Sequence, residues 1–213
     1  MRLYLSSFDL GNCSDEIVAL ARGAKRAAVI VNALDNRPEG RAKWLQDQSE
    51  KLGKLGFVTV ELDLREYFGR AADLGSFLKS VDVVWINGGN AFILRRAMRQ
   101  SGFDEHIKAA LARDELVYGG FSAAAVIVSR GLMGLDIVDD PNDVPAFYEP
   151  DVVWAGLDLL PYTIAVHFQS NHSESSKVAE EIAFFEANGI PYRTLRDGEV
   201  LIVDGEKQRV LGL

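Results

Sequence analysis

The chain has 213 residues, 48% hydrophobic and 25% charged, with a formal charge of −8. That length suits one large α/β domain with a proper core. The acid excess argues against nucleic acid and anionic membrane surfaces as partners. The single cysteine, Cys13, excludes an intrachain disulfide framework. Near the start, Arg2, Asp9, Asp15 and Glu16 break up any signal-peptide order. No apolar run approaches the ~18 residues that span a bilayer. A reducing, cytoplasmic setting is expected.

Apolar runs of strand length alternate with amphipathic stretches. Leu3–Ser6 reads as a strand and Asp15–Arg26 as a helix. Ala27–Val31 is a continuous apolar run, as in a strand buried on both faces. Pro38–Leu55 has helical spacing and ends at Gly56, where a C-terminal cap belongs. Val58–Leu62 is the next strand, Leu74–Val81 a helix, and Val83–Ile86 a strand entering Asn87-Gly88-Gly89-Asn90. Phe92–Ser101 and Phe103–Arg113 are helical. Val117–Gly119 is a strand running straight into Phe121-Ser122-Ala123-Ala124-Ala125.

Asp139-Asp140-Pro141-Asn142-Asp143 marks a loop. Thr163–Val166 is a strand and Ser175–Asn188 a helix. Tyr192–Leu195 and Val200–Val203 flank Asp197-Gly198 and read as a hairpin. Strands alternating with helices imply a single α/β domain, a three-layer, doubly wound, mostly parallel sheet. Ligand sites in such folds lie beyond the carboxyl ends of the strands. That directs attention to Asn87–Asn90, Gly120–Ala125 and His167–His172.

Gly120-Phe121-Ser122-Ala123-Ala124 has the form of a nucleophile elbow, in which small residues flank a serine on a strained strand-to-helix turn. The usual final glycine is Ala124, which is small but gives up the freedom to take positive φ. The following helix would turn backbone N–H groups towards developing negative charge. The same residues also read as a serine N-cap ahead of an alanine-rich core helix, with no chemistry.

A serine hydroxyl needs a general base, and the chain has three histidines. His106 lies within a helix. His167 ends an apolar strand at the edge where the elbow should lie. His172 follows in the same loop, as a substrate-binding candidate or a mere neighbour of the next helix. A carboxylate should orient the imidazole; Asp136, Asp139, Asp140, Asp143 and Glu174 are open candidates. Asn87-Gly88-Gly89-Asn90 precedes a helix and could bind an anion. It lacks the spacing of a dinucleotide or P-loop motif, so no cofactor and no metal is expected.

Three stretches together resemble the peptidase E and cyanophycinase group of serine hydrolases: Trp85-Ile86-Asn87-Gly88-Gly89-Asn90-Ala91-Phe92, Tyr118-Gly119-Gly120-Phe121-Ser122-Ala123-Ala124-Ala125 and Val166-His167-Phe168. The resemblance covers nearly the whole chain and implies a class I glutamine amidotransferase-like, flavodoxin-like fold. It implies Ser122 as nucleophile, His167 as base and the Gly89 and Ala123 amides as oxyanion hole. For the acid it implies Asp140, with Asp139 next. Asn90, His172 and Glu174 are the expected substrate-binding residues.

Aspartyl dipeptidases of that group carry an arginine shortly after the histidine. The counterpart here is Glu174-Ser175-Ser176-Lys177, and a lysine does not reproduce bidentate carboxylate recognition. The sequence therefore argues against strict specificity for an N-terminal aspartate. The expected substrate is a short peptide or other small amide, and a homodimer is left open. A serine hydrolase acting on another amide or ester, and a non-catalytic binding or regulatory domain of the same fold, are the alternatives.

Overall fold

A computed structural model describes residues 1–212. Its main sheet has seven strands: β1 (Arg2–Ser6), β2 (Arg26–Ile30), β3 (Val58–Glu61), β4 (Val83–Ile86), β5 (Val117–Phe121), β8 (Val200–Asp204) and β9 (Lys207–Leu211). They lie in the order β3-β2-β4-β5-β1-β8-β9. The first five are mutually parallel, whereas β8 runs antiparallel to β1 and to β9. Two further strands, β6 (Thr163–Ala165) and β7 (Tyr192–Thr194), form a small parallel pair of their own.

Successive side chains of a strand point to opposite faces, and the interior accordingly divides in two. On one face Leu3, Leu5, Ala28, Ile30, Val84, Ile86 and Tyr118 pack with α4 (Ala91–Ser101), α5 (Phe103–Ala112) and α6 (Ala123–Val126). On the other, Tyr4, Ala27, Val29, Val83, Trp85 and Val117 meet α1 (Asp15–Ala21) and α2 (Pro38–Lys54). The indole of Trp85 would be an unpaired donor there, and it donates to Gln48 Oε1 at 2.7 Å. Burial on both faces explains why the central strands read as unbroken apolar runs. The remaining helices are α3 (Ala71–Leu78) and α7 (Ser175–Asn188).

Two expectations change. The first helix ends at Ala21 rather than Arg26, because Arg22 turns left-handed (φ 53°) ahead of Gly23. The hairpin across Asp197-Gly198 does not form. Leu195 stays with β6, its N–H donating to Ala165 O at 2.9 Å. The chain then crosses to the main sheet, and the true hairpin joins β8 to β9 around Gly205 and Glu206.

Candidate active site

Four segments leave the carboxyl ends of parallel strands at one edge of the sheet. Ser7 follows β1, Asn32–Leu34 follows β2, Asn87–Asn90 follows β4 and Ser122 follows β5. This is where an open α/β sheet places its ligands.

Ser122 has φ 52° and ψ −114°, a backbone region unfavourable for any residue with a Cβ. Its N–H donates to the carbonyls of Ser6 and Ser7, both at 3.2 Å, which pins the turn to the end of β1. Gly120 is obligatory, since a Cβ there would lie 2.4 Å from Ile86 O. A Cβ on Gly88 would lie 2.9 Å from Ser122 Cβ, so that loop backbone runs directly against the nucleophile turn. Ala124 needs no glycine freedom: it lies in α6 and is not among the residues with positive φ. Tyr118 OH donates to Ala124 O at 2.8 Å.

His167 Nε2 lies 3.3 Å from Ser122 Oγ. On the opposite side of the ring, Nδ1 lies 2.7 Å from Asp197 Oδ1. His167 is itself left-handed (φ 57°), and its N–H donates to Ser7 Oγ at 2.8 Å. The Ser7 hydroxyl in turn reaches Asp197 Oδ1 at 2.8 Å, and Asp197 N–H donates to Ser170 Oγ at 2.8 Å. Burial lowers the His167 pKa below the ordinary 6.5, with the pairing to Asp197 partly offsetting it.

Asp139 and Asp140 are engaged elsewhere. Asp139 Oδ2 accepts from Ala91 N–H at 2.8 Å at the start of α4, and Asp140 Oδ1 accepts from Asn142 N–H at 2.8 Å. The carboxylate on His167 is therefore Asp197, in the crossing segment that the sequence pattern disguised as a hairpin turn. Ser7 and Ser170 also escaped notice, since isolated hydroxyls carry no periodic signal.

Asn90 caps α4. Its Oδ1 accepts from Phe92 and Ile93 N–H at 2.8 and 3.1 Å, and its Nδ2 donates to Asp140 O at 2.9 Å. Gly89 has φ 136°, and a Cβ there would lie 2.6 Å from Ala33 O. Its amide makes no hydrogen bond to another described residue. Ala123 opens α6, where the first amides have no partner within the helix.

The His172 ring stacks on His167, centroids 3.7 Å apart and planes within 6°. Phe8 packs on both rings, at 6.1 and 5.7 Å. Glu174 Oε2 lies 3.9 Å from His167 Nε2 and from His172 Nδ1. His167, His172 and Glu174 are the one group of potential metal ligands among the described residues. Parallel stacking puts the two imidazole lone pairs in separate planes, and His172 Nδ1 already accepts from Glu174 N–H at 3.3 Å. A metal ion shared by the two imidazoles would require at least one ring to reorient. No helix among the described residues is long and apolar enough to cross a membrane.

The model of peptidase family S51 matches residues 7–211. A peptidase E of Streptomyces coelicolor is 31% identical over 63% of this chain and 54% of its own length. A peptidase E of Pasteurella multocida is 30% identical over 67% of this chain and 59% of its own length. The chain thus spans little more than half of these relatives. A solved Listeria monocytogenes EGD-e protein, provisionally described as a peptidase E, superposes with a TM-score of 0.82 at 18% identity, covering 100% of this chain and 98% of that one. A peptidase from an acI-B1 actinobacterium superposes with a TM-score of 0.72 at 14% identity, covering 100% and 87%. With a strained serine, a paired histidine and a matching family pattern running from the residue after β1 to the end of β9, the chain belongs to peptidase family S51, the serine-type peptidases of the peptidase E group.

Proposed function

We propose that this chain hydrolyses amide bonds of short peptides through an acyl-enzyme on Ser122. The observation that carries this reading is the continuous relay from Ser122 Oγ to His167 Nε2 at 3.3 Å and from His167 Nδ1 to Asp197 Oδ1 at 2.7 Å. The first distance is slightly long, as is usual before substrate tightens the site. A depressed pKa keeps His167 neutral at pH 7, the form a general base must have.

In this reading His167 takes the Ser122 proton as Oγ attacks the scissile carbonyl. Asp197 holds the Nδ1–H tautomer and stabilises the imidazolium that forms. The intermediate's oxyanion rests on the Gly89 and Ala123 amides, donors of the kind that stabilise developing charge. His167 then returns the proton to the leaving amine. Water deacylates Ser122 by the same route in reverse order.

The test is hydrolysis of a dipeptide panel by the wild type and Ser122→Ala, alongside labelling with a fluorophosphonate. Turnover and labelling that both vanish in a folded Ser122→Ala support the reading. Undiminished hydrolysis in that variant refutes it.

A further inference from the structure

An aromatic wall stands beside the catalytic pair. Phe121 is the residue before Ser122, and Phe8 follows the Ser7 that bridges His167 and Asp197. The Phe8 ring meets Phe121 edge to face at 6.0 Å and Trp44 at 6.3 Å, and Trp44 lies 5.7 Å from Phe121. These are contact geometries of aromatic pairs. The same Phe8 ring packs on His167 at 6.1 Å and on the stacked His172 at 5.7 Å, so it joins the wall to the base. Phe121 is buried against the sheet, whereas Phe8 is 37% exposed and Trp44, on α2, is half-buried. Phe8 also borders a cavity of about 370 Å³ shared with Asp9, Lys51 and Gly198, the residue after Asp197, so open space lies beside its ring.

We propose that Phe8, Trp44 and Phe121 wall a subsite for a bulky apolar side chain of the substrate, next to the bond that Ser122 attacks. Large apolar rings left open to water are costly, and a substrate side chain laid on them removes that apolar surface from water. Two of the three rings stand on backbone that the fold already fixes. Phe121 is held by the pairing of β5 with β1, where it lies opposite Ser6, and Phe8 by its place after Ser7. Lys51, beside the wall, offers an acidic side chain no free charge. Its Nζ lies 5.8 Å from the centre of the Trp44 ring, yet it is already paired with Asp9 and with Asp47, the latter at 2.6 Å. Moving a carboxylate from water onto apolar rings without a new partner is costly. The wall therefore favours residues such as phenylalanine over aspartate. A side chain on either side of the scissile bond offers the same chemistry. The link of this subsite to turnover rests on the peptidase reading above; its binding preference does not.

Binding and turnover are read separately. Calorimetric titration of Ser122→Ala protein with Phe-Ala, Ala-Phe, Ala-Ala, Asp-Ala and Ala-Asp reads affinity without hydrolysis. A phenylalanine dipeptide should bind at least about tenfold more tightly than Ala-Ala and than its aspartate counterpart. A preference for Phe-Ala places the subsite on the acyl side of the bond, and one for Ala-Phe on the leaving side. Adding Phe8→Ala or Trp44→Ala should shrink the preference to below about threefold. Phe147→Ala, which removes an almost fully exposed ring in the loop between α6 and β6, should preserve it. Circular dichroism establishes folding, and Trp44→Ala carries the test if Phe8→Ala does not fold. Collapse in one variant alone assigns the contact to that ring. Binding that ignores the side chain, including no binding of any dipeptide, overturns the subsite. So does a preference for aspartate, or a phenylalanine preference that survives every folded alanine variant of the wall. Hydrolysis of the same panel by the wild type completes the comparison. Turnover alongside side-chain-blind binding sinks the subsite alone. Apolar-selective binding without hydrolysis sinks the peptidase reading alone.

Discussion

His167 Nδ1 and Asp197 Oδ1 meet at 2.7 Å although one residue follows a strand of the small sheet and the other precedes a strand of the main one. The Ser7 hydroxyl bridges them, accepting from His167 N–H and reaching the same Asp197 oxygen. If Asp197 orients the base, Asp197→Asn should cut kcat by about 10³- to 10⁴-fold with little change in KM. Asp140→Asn should stay within about threefold of wild type, since that carboxylate caps a turn and loses only a local bond. Steady-state kinetics on both variants checks the assignment; the opposite ranking would return the role to the loop at 139–143.

The pH profile follows from the His167 environment. Its pKa lies below the ordinary 6.5 because burial outweighs the Asp197 pairing, so the imidazole sheds its proton earlier than usual on rising pH. The acid limb of kcat/KM should therefore fall below pH 6.5, with the base already fully competent at neutrality. A limb centred above 7 would contradict this.

At the nucleophile turn, Gly120→Ala should abolish activity and destabilise the fold, because the added Cβ would lie 2.4 Å from a backbone oxygen that cannot move freely. Ala124→Gly, which restores the commoner motif, should bring no gain in rate. It should lower stability by about 1 kcal/mol, the cost of glycine in a helix. Denaturant melts with parallel rate measurements give both numbers. A faster Ala124→Gly enzyme would show that alanine constrains the turn.

Glu181 should write a signature into stability. Burial lifts its folded pKa to about 8, above that of an unfolded glutamate near 4.5. The folded state thus binds the extra proton between those values, and stability contributed below the lower one is lost as pH rises through the upper. Wild-type Tm should decline between pH 6 and 9 more steeply than that of Glu181→Gln, which has no proton to lose. Parallel curves would mean that the carboxyl group is better solvated than its burial implies.

The central strands were legible because burial on both faces leaves unbroken apolar runs, and three runs lead at their carboxyl ends into candidate site residues: Asn87–Asn90 after β4, Ser122 after β5, His167 after β6. Asp197 was not legible, for a physical reason. Asp-Gly between two apolar runs is the strongest short-range hairpin signal, and only the non-local pairing of β7 with β6 and of β8 with β1 tells that these two strands part company. Asn90 has a structural role that the sequence did not announce. An amide beside a glycine loop looks like a ligand group, yet the free N–H groups at the start of α4 claim its oxygen.

If Asp197 orients the base, the crossing segment between β7 and β8 also sets when the chain becomes reactive. A ribosome releases residue 122 before residue 197, so the serine emerges ahead of that carboxylate. Until β8 slots beside β1, Asp197 cannot reach the imidazole, and Ser7 has nothing to bridge. In the proposed mechanism, hydrolytic competence therefore waits for the strands that close the sheet.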